Sequence, residues 1–135
     1  MKNVGIWLDK EKALIVTVKG DDETLNSVPS NIENFHVHGG SGSRFKGGPQ
    51  DVVQDSKYLE REKHQLKQYF KTIVESVNTA DALVVFGPAE TKDKFIKEVQ
   101  QNYKPLTAKI KEVKKTDSMT DNQLKALVRD YFKSN

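Results

Sequence analysis

The spacing of apolar residues near the start of the chain predicts three short β-strands. Residues 4–8 and 13–18 are rich in Val, Ile, Leu and Trp, and a turn signal at residues 9–11 lies between them. A second turn signal at residues 20–22 precedes residues 24–28, which can form a third strand before Pro29 interrupts it. We therefore predict an antiparallel three-stranded meander.

A helical repeat of apolar residues predicts a helix over about residues 57–77. Asp55 or Ser56 can cap its start, and its apolar positions recur at spacings that keep them on one helical face. These positions are Leu59, Leu66, Tyr69, Phe70, Ile73 and Val77.

Strand and helix patterns then alternate. Residues 80–86 are an apolar run broken only by Asp81, as expected of a central strand covered on both faces. Gly87-Pro88 suits the start of the next helix, and Pro105 lies beyond the end of that helix. Residues 107–113 predict a strand, although their apolar positions fit a period of two only approximately.

The last helix is predicted to begin at Thr120, which forms a T-x-x-Q capping box with Gln123. Its apolar stripe comprises Leu124, Leu127, Val128, Tyr131 and Phe132. The element order is β-β-β-α-β-α-β-α, which predicts an α/β fold with a mixed sheet, antiparallel N-terminal strands and helices on the faces of the sheet. At 135 residues we expect one domain, residues 1–135.

Residues 36–54 interrupt this pattern and predict a mobile loop. The stretch HVHGGSGSRFKGGPQ contains five glycines, two serines and a proline, with no apolar periodicity. Structureless segments of this length inside a domain are usually functional or disordered.

The charge is unevenly distributed, although the net charge is only +3. Residues 57–71 contain five basic and two acidic side chains, and residues 104–115 contain five lysines and one glutamate. Such segments are typical of phosphate-binding surfaces, and equally of solvated lysine-rich faces.

Several kinds of chemistry have no support in the sequence. The chain has no cysteine, and it lacks the H-E-x-x-H, P-loop and G-x-S-x-G motifs. We expect no cofactor and no membrane segment, and we expect a cytoplasmic protein. His36 and His38 have no third metal ligand nearby. Asp9 is similar to the first metal carboxylate of ribonuclease H-like nucleases, but a turn-forming aspartate is the favoured interpretation.

The loop and the segments after it resemble the middle domain of archaeal and eukaryotic class-1 peptide chain release factors, shared with Pelota-type ribosome rescue proteins. In that family a Gly-Gly-Gln loop tip precedes a basic helix, an apolar strand ending in a Gly turn, and a further helix. This chain has Gly47-Gly48-Pro49-Gln50, then LEREKH at residues 59–64, then LVVFGPA at residues 83–89. The resemblance spans roughly residues 4–113 and implies a free-standing, ribonuclease H-like middle domain.

The resemblance implies a translation-associated protein whose partners are the ribosome or ribosomal RNA and tRNA. Gln50 is the candidate catalytic residue for hydrolysis of peptidyl-tRNA, and its alternative is an ordinary polar loop residue. Gly47, Gly48 and Pro49 would form the loop tip, and Pro49 departs from the family pattern because it fixes φ and removes an N–H. The candidate RNA-binding residues are Arg44, Lys46, Arg61, Lys63, His64 and Lys67.

Two further hypotheses remain open. A non-catalytic RNA- or ribosome-binding module would keep the basic surface while Pro49 marks the loss of hydrolysis. A metal-dependent nuclease on a ribonuclease H-like fold would rely on Asp9 and other carboxylates. Association without turnover favours the first, and activity that requires magnesium favours the second.

Overall fold

A computed structural model describes residues 2–32 and 48–134, with the side chains of residues 48–59 and 134 excepted. The elements are β1 (Lys2–Leu8), β2 (Lys12–Lys19), β3 (Asp22–Pro29), α1 (Gly48–Val77), β4 (Ala82–Gly87), α2 (Thr91–Asn102), α3 (Lys104–Thr107), β5 (Ile110–Lys115) and α4 (Asp121–Ser134). None of the helices in these ranges is long and apolar enough to cross a membrane.

The five strands form one mixed sheet in the order β3-β2-β1-β4-β5. β1, β2 and β3 pair in antiparallel fashion, whereas β4 lies parallel to both β1 and β5. The antiparallel meander and the mixed α/β sheet predicted from the sequence are therefore confirmed. The ribonuclease H-like assignment stays a prediction.

Each face of the sheet has its own hydrophobic core. Successive residues of a strand point to opposite faces, so Ile6 joins a core with α1 and α2 while Trp7 joins a core with α4. All six residues of β4 are buried, which confirms the central strand predicted from its apolar run. The α4 core includes Leu124 and Val128, both fully buried.

The capping box of the last helix is confirmed. The backbone N–H of Gln123 donates to Thr120 Oγ1 at 3.1 Å, and the backbone N–H of Thr120 donates to Gln123 Oε1 at 3.0 Å. The two bonds satisfy backbone donors that an α-helix leaves unpaired at its start. This local signal therefore fixes the beginning of α4.

A β-bulge explains the irregular apolar pattern of the fifth strand. Leu83 pairs with Ile110 but Val84 pairs with Glu112, so Lys111 is an extra residue in β5. The extra residue shifts the alternation, and both Ile110 and Val113 pack against the core beneath α1 and α2. The strand predicted at residues 107–113 lies at Ile110–Lys115 instead, because residues 104–107 form the short helix α3 around Pro105.

The first helix begins nine residues earlier than its predicted start at residue 57. Residues 48–54, which the composition assigned to a mobile loop, form its first two turns. Proline is favoured in the first turn of a helix because the N–H that it lacks would have no partner there, so Pro49 fits a helix start as well as a loop. Residues 36–47 of the predicted loop lie outside the described residues.

Gly5 allows α4 to pack directly on the centre of the sheet. A Cβ atom at this position would lie 2.3 Å from Val128 Cγ2. We expect Gly5→Ala to lower the free energy of unfolding by about 1–3 kcal/mol because the added methyl overpacks this interface. Denaturant unfolding followed by circular dichroism measures the change.

The companion variant is Val128→Ala, which makes room for the new methyl. We expect the double variant to lose less stability than the sum of the two single variants, because the two sites share one space. Additive losses, or a Gly5→Ala variant as stable as the wild type, would contradict the packing described here.

Candidate nucleic-acid-binding site on the long helix

Helix α1 is 30 residues long, which corresponds to about 45 Å. Its apolar face packs against the sheet, and the buried side chains are Leu66, Tyr69, Phe70, Ile73, Val74 and Val77. Phe70 also meets Phe95 of α2 edge to face, with ring centroids 5.4 Å apart. The predicted buried stripe is confirmed at Leu66, Tyr69, Phe70, Ile73 and Val77, and Val74 joins it, whereas the side chain of Leu59 lies outside the described residues. The polar side of the helix therefore faces outward.

The polar side of α1 carries a row of cations. Lys63, Lys67 and Lys71 are exposed and follow one another at intervals of four residues, so they lie one above another along the helix. His64 is also exposed and lies beside Lys67 on the helix surface. We call these four residues the α1 basic row. The candidate residues inferred from the sequence do not include Lys71, although its four-residue spacing from Lys67 is a signal that the sequence carries.

Arg61 is exposed but does not belong to this row. It precedes Lys63 by two residues, and two residues span about 200° around an α-helix. Arg61 therefore lies away from Lys63, but it precedes His64 by three residues and so lies beside His64 on the helix surface.

The Gly-Gly-Pro-Gln segment is only partly described. Gly48, Pro49 and Gln50 form the start of α1 rather than the tip of a loop. Gly47, Arg44 and Lys46 lie outside the described residues. The candidate catalytic residue and the α1 basic row therefore share one continuous helix, with Gln50 about 20 Å from Lys63 along the helix axis.

The β1–β2 turn holds the middle of α1 against the sheet. The Tyr69 hydroxyl donates to the backbone carbonyl of Asp9 at 2.9 Å, and Lys10 Nζ lies 2.8 Å from Glu62 Oε2. Burial, and secondarily the negative charge of Asp9, raise the pKa of Tyr69 well above its ordinary value. The neutral hydroxyl is therefore the form that the native structure favours.

The Asp9 carboxylate stabilises its own turn. Its Oδ1 atom accepts the backbone N–H groups of Glu11 at 2.8 Å and Lys12 at 2.9 Å. This geometry confirms the turn-forming interpretation of Asp9. Asp81 lies at the opposite end of the parallel strands, where its carboxylate accepts the backbone N–H of Lys2. Among the described side chains, those of residues 2–32 and 60–133, no three His, Asp or Glu are grouped so that they could hold a metal ion.

A small cleft lies between α1 and the end of β3. Its volume is about 150 Å³, and its lining includes His64, Gln68 and Asn31. Pockets for small molecules are commonly about 300–1,000 Å³. The cleft is therefore too small to be the main binding site, and the exposed surface of α1 is the stronger candidate.

The comparisons with solved structures identify a shared fold. The chain is similar to Pelota from Thermoplasma acidophilum, with 14% identity and a TM-score of 0.54 over 100% of this chain and 32% of that one. It is also similar to Pelota from Archaeoglobus fulgidus, with 11% identity and a TM-score of 0.57 over 96% of this chain and 31% of that one.

An archaeal translation termination factor, aRF1, shares the fold as well. Its identity to this chain is 12% and its TM-score is 0.50, over 89% of this chain and 31% of aRF1. No protein-family model matches the sequence, and no curated protein matches it by sequence. The chain thus has the fold of a domain-sized part of Pelota and aRF1, and it spans about a third of their length.

The bond between Tyr69 and Asp9 predicts a specific dependence of stability on pH. Tyrosine in the unfolded chain loses its proton near pH 10, whereas native Tyr69 keeps its proton to higher pH. Its contribution to stability is therefore complete below about pH 10 and is lost as the pH rises further. We expect Tyr69→Phe to cost about 1 kcal/mol at neutral pH and to flatten the fall in stability above about pH 10.

The control for this prediction is Glu62→Gln. It removes the ion pair with Lys10 but leaves the Tyr69 hydroxyl in place, so it should keep the alkaline slope of the wild type. Urea unfolding measured across the alkaline range tests both variants. A Tyr69→Phe variant with the same alkaline slope as the wild type would refute this prediction.

Proposed function

We propose that this chain is a translation-associated domain that binds ribosomal RNA or tRNA through α1 and the Gly-Gly-Pro-Gln segment at its start. The observation that carries the proposal is the fold shared with Pelota and aRF1 over nearly the whole chain. The order of the Gly-Gly-Pro-Gln segment, the basic helix and the Gly87 turn in the sequence supports it independently. Within this proposal the chain corresponds to the middle domain of the release factors.

The α1 basic row supports RNA as the ligand. Its lysines are exposed, and lysine binds phosphate as a flexible point charge. The apolar face of the same helix is fixed to the sheet, so the row is presented on a rigid element rather than on a loop. Each phosphate that the row neutralises releases counterions, so this binding should weaken steeply with salt.

Binding without hydrolysis fits the start of α1 better than catalysis by Gln50 does. Gln50 follows Pro49 within the first helical turn, so its backbone has the restricted conformation of a helix. The family's activity depends on a glutamine at a Gly-Gly-Gln loop tip, which Pro49 interrupts in this chain. The nuclease hypothesis has less support, because the Asp9 carboxylate is engaged in its turn.

The first test measures binding to ribosomes. We expect the wild-type protein to sediment with ribosomes at low salt and to be released as salt rises. The variant Lys63→Gln/Lys67→Gln/Lys71→Gln should be released at a clearly lower salt concentration. The control Lys12→Gln/Lys19→Gln/Lys133→Gln removes the same number of exposed charges elsewhere and should behave like the wild type. Failure of the wild type to sediment would reject the proposal.

The second test separates binding from hydrolysis. Purified protein is offered peptidyl-tRNA, both free and bound to ribosomes, and the released peptide is measured. We expect association without release, and no difference between the wild type and Gln50→Ala. Release by the wild type that falls by about 100-fold or more in Gln50→Ala would instead assign hydrolysis to Gln50.

A further inference from the structure

The second basic segment of the sequence forms a separate surface at one edge of the sheet. β5 is an edge strand, because within the described part of the chain it pairs only with β4. Lys104, Lys111, Lys114 and Lys115 are all exposed along or beside this strand. We call these four residues the β5 edge surface. The five intervals from Ile110 to Lys115 correspond to about 17 Å of strand.

The charge of the β5 edge surface is only weakly neutralised. Lys104, Lys111 and Lys115 form no ion pair or side-chain hydrogen bond within residues 2–32 and 60–133. Glu112 is the single acidic residue from 104 to 115, and it is held by Lys114 Nζ at 3.7 Å and by Tyr131 of α4. The remaining lysines therefore keep their positive charge available to an external anion.

The β-bulge places Lys111 outside the regular alternation of β5, and after it Lys114 and Lys115 alternate between the two faces of the sheet edge. Because Lys111 is the extra residue, Ile110 and Val113 both pack toward the core and the charged residues between and after them are exposed. Bulges at sheet edges commonly re-aim side chains in this way. The apolar residues of β5 thus pack against the hydrophobic core, and the exposed side chains of β5 are all charged.

This composition favours an RNA phosphate backbone over an acidic protein as the partner. Protein interfaces are built around a core of apolar and aromatic side chains, and the exposed side chains of β5 supply none. No aromatic residue occurs from 104 to 115, so this segment itself offers no ring for base stacking. The same segment contains no arginine for bidentate contacts with base edges. Lysine point charges along an edge match phosphates without reading sequence.

We infer that the β5 edge surface is a second RNA-contact surface, distinct from α1, that binds the phosphate backbone of duplex RNA without sequence preference. Helix α1 contacts β3 and the β1–β2 turn, whereas β5 is the opposite edge of the sheet from β3, so the two basic surfaces are separate. A duplex is the favoured form because double-stranded RNA is recognised mainly by its shape and its backbone. The domain would therefore hold RNA at two places.

The test compares three charge variants in binding an arbitrary duplex RNA of about 20 base pairs, a length above the ~16 base pairs that one duplex-binding domain spans. The variants are Lys104→Gln/Lys111→Gln/Lys115→Gln, the α1 variant Lys63→Gln/Lys67→Gln/Lys71→Gln, and the control Lys12→Gln/Lys19→Gln/Lys133→Gln. All three have the same net charge. Fluorescence anisotropy over roughly 50–200 mM salt gives the affinity and its salt dependence.

We expect the β5 variant to lose roughly tenfold or more in affinity, and its slope of log affinity against log salt to fall by about 2 to 3. The control should change both quantities little. Lys104→Arg/Lys111→Arg/Lys115→Arg retains the charges and should bind like the wild type, which separates lost contacts from lost folding. A β5 variant that binds RNA with the affinity and salt slope of the wild type would overturn the inference.

Two further outcomes would also count against the inference. Lysines on an edge strand can simply prevent strand-to-strand association, in which case the β5 variant would aggregate while its monomer binds RNA normally. Equal competition by poly-glutamate of matched charge would indicate an acidic-protein surface.

Failure of the α1 variant to weaken ribosome binding would reject the proposed function alone, because the β5 measurement uses duplex RNA and different lysines.

Discussion

The parallel pair of β1 and β4 is the constraint on which the rest of the structure depends. Both strands are covered on both faces, and each face carries a different set of helices. Gly5 and Gly87 lie where this arrangement leaves no room for a Cβ atom. Gly5 lies beneath Val128 of α4, and a Cβ atom at Gly87 would lie 2.5 Å from the backbone oxygen of Leu8. The close approach of α4 to β1, and of β4 to β1, therefore depends on these two glycines.

The connection from this core to the candidate binding surface runs through the β1–β2 turn. The Asp9 carboxylate accepts a backbone N–H within the turn, and the Asp9 backbone carbonyl accepts the Tyr69 hydroxyl. Lys10 forms an ion pair with Glu62, which lies four residues before Leu66 on α1. The middle of α1 is therefore attached to the sheet by polar contacts as well as by its apolar stripe. These contacts hold the backbone of the α1 basic row in place, although the lysine side chains themselves take no part in them.

The charged surfaces are arranged around the sheet rather than concentrated in a pocket. The α1 basic row lies on the helical layer of one face, and the β5 edge surface lies where the sheet ends. The cleft beside His64 is small, and the carboxylates Asp9 and Asp81 lie at opposite ends of the parallel strands.

Local patterns in the sequence determined most of the elements of this protein. The alternation in β1 and β2, the apolar run of β4, the stripe of α1 and the capping box at Thr120 each depend on neighbouring residues alone. The start of α1 was missed because glycine and proline favour loops by composition, yet Pro49 is also well suited to the first turn of a helix.

Only the tertiary structure decided how distant residues combine. The bulge at Lys111 depends on the register between β4 and β5, and the contact between Tyr69 and Asp9 joins residues 60 positions apart. No local pattern encodes such contacts, because they arise from packing helices against a sheet whose strand order differs from the chain order. The sequence by itself therefore determined the helices and strands and which of them are rich in lysine. The packing decided which lysines line the edge of the sheet at β5, because that edge exists only once β5 has paired with β4.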